Sequence, residues 1–141
     1  MQYTDNQYKF VAVLNRKIEI YKLLNALGHI SAGLTSLLPK ENFDFLAYQD
    51  ANGGQHPAIS RFPFIVLQAE NSNQLRNLRK QAIEKGIVYN DFTESMLGYS
   101  AEEQLQQTTE LDEEALSYFA VVLFGNAEEL SPLTKKFSLM K

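Results

Sequence analysis

Apolar residues fall along this chain in blocks whose spacing alternates between that of strands and that of helices. Tyr8-Lys9-Phe10-Val11-Ala12-Val13-Leu14 is apolar throughout after Lys9, the pattern of a strand covered on both faces of a sheet. A charged connector, Asn15-Arg16-Lys17, leads into a helical pattern from about Ile18 to Leu38, which Pro39 stops. Phe43 to Tyr48 is a short strand or extended segment. Asp50 to Pro57, with Asn52-Gly53-Gly54 inside it, is the clearest turn.

Phe62 to Ala69 is a second buried strand, with Pro63 near its start where a missing N–H is tolerated. Asn71 or Ser72 can cap the next helix, which carries Leu75, Leu78, Ala82 and Ile83 at helical spacing and stops at Gly86. Ile87-Val88-Tyr89 begins a third strand that leads into Asn90 and Asp91. Ser100 to Gln106 is a short helix, and an acidic connection follows it. Tyr118 to Phe124 is a fourth, fully apolar strand; a last turn of helix covers Ala127 to Leu130 or somewhat beyond. The order β-α-β-α-β-β predicts a single α/β domain over 1–141, a mixed, mainly four-stranded sheet flanked by helices on both faces.

Composition agrees with a folded domain: 45% hydrophobic and 21% charged residues in 141 positions can bury a core. The chain has no cysteine, which removes disulfides, thiolate nucleophiles and thiolate metal sites. Met1 to Asn6 lacks the basic-then-apolar layout of a signal peptide, and no apolar run approaches the roughly 20 residues that span a bilayer. A cytoplasmic protein without a membrane partner is the expectation. Net charge is −4, and from Gly86 to Thr134 there is no lysine or arginine, so this half is a poor platform for DNA or RNA backbones.

One helix departs from the usual pattern. From Leu23 to Pro39 it holds no Asp, Glu, Lys or Arg, whereas a surface helix normally shows a charged face. It is therefore expected to be covered on most sides, by other elements or by a subunit interface. Lys22 and His29 differ by about 20° around its axis, two turns apart on one face. Asn25 flanks that stripe and Ala26 and Gly33 leave it open, opposite an apolar face of Ile20, Leu23, Leu27, Ile30 and Leu34. A lysine, an amide and an imidazole thus share one side. The plain alternative is a structural histidine and a lysine that reaches into water. Asp91, at the end of a strand, is the best partner from elsewhere in the chain.

Lys22, His29, the strand Phe62 to Ala69 with its helix to Gly86, and Asp91 in Tyr89-Asn90-Asp91-Phe92-Thr93-Glu94-Ser95 together resemble the type-2 peptidyl-tRNA hydrolase superfamily. Leu14 to Leu34, His56-Pro57, Phe62-Pro63-Phe64 and Leu133-Thr134-Lys135-Lys136-Phe137-Ser138-Leu139 more closely resemble an uncharacterised bacterial relative, the domain-of-unknown-function family numbered 2000. In the hydrolases a helix motif Lys-x-x-x-Gln-x-x-His serves the active site. Here Lys22 and His29 match and Ala26 stands at the glutamine position, while Tyr21 replaces a glycine before the lysine. Of the hydrolase motif Asp-x-Gly-x-Thr, Asp91 is retained, Thr93 stands for the glycine and Ser95 for the threonine.

The resemblance implies a homodimer and an ester- or amide-cleaving site that takes peptidyl-tRNA. Lys22 would stabilise the oxyanion, or act as a base if burial lowered its pKa. Asp91 would hold Lys22 or a water, and Ser95 would add a hydroxyl. Asn25 and His29 would contact substrate, with His56, just past the glycine turn, folding over as part of a lid. No Gly-rich phosphate loop, nucleophile elbow or metal-ligand spacing is present, so no cofactor and no metal are expected. A non-catalytic small-ligand or protein-binding module is the competing class. Arg76, Arg79, Lys80 and Lys85 could touch phosphate or form a solvated helix face.

Overall fold

The computed structural model of the chain describes residues 7–141; Met1 to Asn6, read above for a leader pattern, lie outside them. The strands are β1 (Tyr8–Asn15), β2 (Phe45–Gln49), β3 (Gln55–Ser60), β4 (Phe64–Ala69), β5 (Val88–Thr93), β6 (Tyr118–Asn126) and β7 (Ser138–Leu139). The helices are α1 (Ile20–Thr35), α2 (Ser72–Glu84), α3 (Ala101–Thr109) and α4 (Ala127–Thr134). β1 lies at the centre of a five-stranded mixed sheet in the order β5-β6-β1-β4-β7, and β2 pairs with β3 in a separate hairpin.

Strand β1 is central because both of its neighbours match its apolar run. It pairs in parallel with β4, Val11 opposite Ile65, and antiparallel with β6, Val11 opposite Leu123. Alternate residues then serve two layers. Val11, Val13, Val121 and Leu123 pack with Leu75, Leu78 and Ala82 of α2 and with Leu130 and Leu133 of α4. Phe10, Ala12, Leu14, Val122 and Phe124 pack with Leu23, Ala26, Ile30 and Leu34 of α1.

The sheet has five strands, not four. The added β7 is two residues long, too short to announce itself by periodicity, and it pairs with the edge of β4 through Leu67 and Gln68. The turn expected at Asp50 to Pro57 is the tip of a hairpin whose second strand was not anticipated. Gln55-His56-Pro57-Ala58-Ile59-Ser60 has no apolar alternation because the hairpin packs on no core. Helix α3 runs past Gln106 to Thr109, with the Ser100 hydroxyl accepting from the Glu103 amide as its cap. Asn71 caps α2 in the same way, through Gln74, and Gly86 at φ 67° ends it.

Helix α1 departs from expectation. Its sheet-facing stripe is buried, but Tyr21, Leu24, Asn25, Gly28, His29 and Ala32 are exposed. The missing charges therefore do not mean that this chain covers the helix on most sides. Gly33 has a physical cause: a Cβ there would lie 2.8 Å from Asn90 Nδ2, which donates to the Ile30 carbonyl and draws β5 against the helix. Among the described residues no helix is long and apolar enough to cross a membrane.

Candidate functional site

Because Gly33 contacts β5, the flank of α1 that carries Lys22 and His29 faces the β5 edge of the sheet. Beyond β5 the chain turns through Glu94–Met96, passes Gly98 and Tyr99 with φ of 79° and 56°, and enters α3. Two consecutive left-handed residues, the second a tyrosine, fold α3 back toward α1. The Gln104 amide holds this turn by donating to the Gly98 carbonyl.

Between the two walls lies an open groove of about 630 Å³. Tyr21, Lys22, Asn25 and His29 line it from α1, and Met96, Leu97, Tyr99 and Gln104 from the opposite side. It continues past His29, Met96 and Gln104 into a recess of about 410 Å³ bounded by Ile30, Asn90, Asp91 and Phe92. The His29 ring lies 6.1 Å from the Phe92 ring, nearly parallel to it, so the imidazole rests on an apolar floor.

Lys22 Nζ is 3.2 Å from Glu19 Oε1. That hydrogen bond and charge hold the ammonium above the usual lysine range, so Lys22 stays protonated and suits donation, not proton abstraction. The Glu19 carboxylate is held below its usual range by Tyr21 and then by Lys22. Glu19, Tyr21 and Lys22 therefore form one polar cluster at the mouth of the groove.

The structure does not bring Lys22 and Asp91 together. Strand alternation sends Asn90 and Phe92 toward α1 and Asp91 to the other face, where its carboxylate meets Arg79 Nε of α2 at 3.2 Å. Burial pushes the Asp91 carboxyl up from the usual carboxylate range, against the pull of Arg79. Ser95 is buried and fully engaged. The Thr108 hydroxyl donates to the Gln104 carbonyl and so accepts from Ser95, which in turn accepts from Thr93, both at 2.8 Å. Its proton is committed to docking α3. Replacing Ser95 with alanine leaves the buried Thr93 hydroxyl without its acceptor and removes the bond to Thr108, which is expected to lower stability by about 1–3 kcal/mol. Urea unfolding measures this, and a change below about 0.5 kcal/mol would deny the relay.

His56 is no lid. Its Nε2 lies 3.0 Å from Asp50 Oδ2 within the hairpin, and it is not among the residues that line the groove or the recess. The basic residues of the second helix divide: Lys80 and Lys85 are exposed on its solvated face, while Arg76 and Arg79 are turned in to partners. Arg76 and Lys80 reach Glu113, Arg79 reaches Asp91, and the Arg76 and Arg79 guanidiniums lie over the rings of Tyr118 and Tyr89. Among the described residues no three His, Asp or Glu side chains gather as a metal site.

Sequence reasoning missed Glu19, Tyr99, Asn90 and Gln104. Glu19 left a signal, a carboxylate three residues before Lys22 at the helix start. Tyr99 and Gln104 left none, since only the left-handed turn brings them to α1.

A family model, DUF2000, described as a protein of unknown function, matches residues 8–141. A solved structure described as a protein of unknown function, Atu0240 from Agrobacterium tumefaciens strain C58, is similar with a TM-score of 0.82 and 18% identity. The match covers 96% of this chain and 98% of that one, and at such identity it speaks to the fold. No curated protein matches.

Proposed function

The chain belongs to the DUF2000 family of proteins of unknown function, and from that premise we propose that it binds a small polar ligand in the groove along α1. The observation that carries this reading is the convergence of the Lys22 ammonium and the Asn25, His29 and Gln104 side chains on one open cleft. Each can donate a hydrogen bond, and a protonated lysine at the mouth favours a ligand with a carboxylate or acyl oxygen. The floor of Phe92 and Met96 gives such a ligand apolar contact. The reading keeps a single domain of the type-2 peptidyl-tRNA hydrolase kind, a cytoplasmic setting and a homodimer, all from the sequence resemblance and composition.

Hydrolysis is the second reading, favoured by the presence of Lys22 and His29 in the same cleft. It cannot use Asp91 and Ser95 in the roles the hydrolase motif implies, since one pairs with Arg79 and the other docks α3. An acyl ester would instead meet the Lys22 ammonium as oxyanion donor, with water approaching past His29.

Calorimetry with N-acetyl amino acids and with peptidyl-tRNA separates the two. Binding is expected, weakened on the order of tenfold or more in Lys22→Ala and Asn25→Ala while folding is unchanged. Release of tRNA by the wild type, lost in Lys22→Ala, would decide for the hydrolase. Absence of binding by either probe would sink the groove reading.

A further inference from the structure

A second cavity, of about 280 Å³, opens at the other end of the sheet from the groove, where β1 and β5 begin and β6 ends. It shares no lining residue with the groove or its recess. Tyr8 walls it from β1, opposite Asn126 of β6, with its ring nearly parallel to that of buried Phe124. Pro39 and Asn42, past the end of α1, close another side. Asn42 is 8% exposed, and its backbone N–H donates to the Pro39 carbonyl. Its side-chain amide has no hydrogen-bond partner among the described residues. Among those residues only the Ser31 hydroxyl is sealed from solvent as well as unpartnered. The Asn42 amide is therefore reached from outside, through the cavity that it lines. A buried carboxamide left without partners costs free energy unless something else meets it.

We propose that this cavity binds a small neutral heterocycle with a hydrogen-bond donor beside an acceptor, of the nucleobase kind. A carboxamide sets an N–H next to a carbonyl. It pairs through two bonds with an edge that carries the reverse order, as asparagine does with adenine. Tyr8 gives the ring an aromatic wall to lie against. At about 280 Å³ the cavity is at the small end of ligand sites, which suits one ring system and excludes a long chain.

Charge decides against a nucleotide. No lysine or arginine lines the cavity, Glu129 stands at its rim, and Glu128 lies beside it in the first turn of α4. A phosphate would meet these carboxylates with no counter-charge, whereas a neutral base is not repelled by them. The Asn126 side chain accepts from the Glu128 amide, so the start of α4 is capped from within the chain and offers no place for an anion.

Titration of the isotope-labelled full chain with adenine, cytosine and uracil, and with the ribose monophosphate of each, tests this through amide chemical shifts. At least one base is expected to shift the Asn42 side-chain amide and the Gly86 and Gly125 backbone amides to saturation, with a Kd of about 1 mM or tighter. Its monophosphate should bind on the order of tenfold more weakly. Asn42→Leu should weaken the base on the order of tenfold or more, with circular dichroism unchanged. If that variant loses its fold, Glu129→Lys decides. At this exposed position it should bring the monophosphate up to the affinity of the base, and a discrimination that persists overturns the proposal. So does the absence of a saturating shift with any base, or shifts centred on Lys22 and His29 instead. Affinity unchanged by folded Asn42→Leu, or a monophosphate bound by the wild type as tightly as its base, overturns it as well.

Discussion

Replacing Arg79 with alanine is expected to cost about 2–4 kcal/mol of stability at neutral pH and distinctly less at about pH 4. The Asp91 side chain is 16% exposed, and Arg79 Nε is its hydrogen-bonded counter-charge. Removing a partner from a largely buried pair leaves a charge without compensation, which costs more than the pair contributes. The pH dependence has a definite sign. The folded pKa of Asp91 is already raised by burial, so ionising it opposes folding. That contribution is most favourable below the unfolded carboxylate pKa and is lost as pH rises through the folded value. Without Arg79 the folded value moves higher still, so the deficit is greatest where Asp91 must be charged and shrinks as it protonates. Urea unfolding of wild type and Arg79→Ala at both pH values measures this. An equal loss at both would mean that Asp91 is not what Arg79 compensates.

Phe92→Ala is expected to lower stability by about 3–5 kcal/mol, the cost of removing a buried aromatic ring and leaving a cavity. Phe92 is 4% exposed, lies 5.9 Å from the ring of Phe119, and supports His29 from below. The same substitution removes the apolar floor of the groove, so weaker ligand binding should accompany the lost stability. Unfolding in urea, with calorimetry on the folded fraction, reads both effects. A loss under about 1 kcal/mol would show that α1 is held to β5 by other contacts.

These two neighbours on β5 show where sequence reasoning stopped. Asp91 was legible as a strand carboxylate, although it lies within β5 and not at its end, and Lys22 and His29 were legible as one face of a helix. Joining Asp91 to Lys22 required knowing which face of the sheet Asp91 takes. A shift of one residue in strand register reverses that face, and the Asn90–Ile30 hydrogen bond, which fixes it, spans 60 positions. The α2 basic residues misled for a related reason. Their partners Asp91 and Glu113 are distant in sequence, and nothing local marks an arginine as paired instead of solvated.

The sequence by itself determined the strands β1, β4 and β6, the cap and stop of α2, and the stripe that joins Lys22 to His29. Each rests on a periodicity or a local hydrogen bond within a few residues. Tertiary structure alone decided the fifth strand, the exposed hairpin, the second wall of the groove and the separation of Lys22 from Asp91. These depend on contacts between distant segments, whose free energy is shared among many side chains and leaves no local pattern.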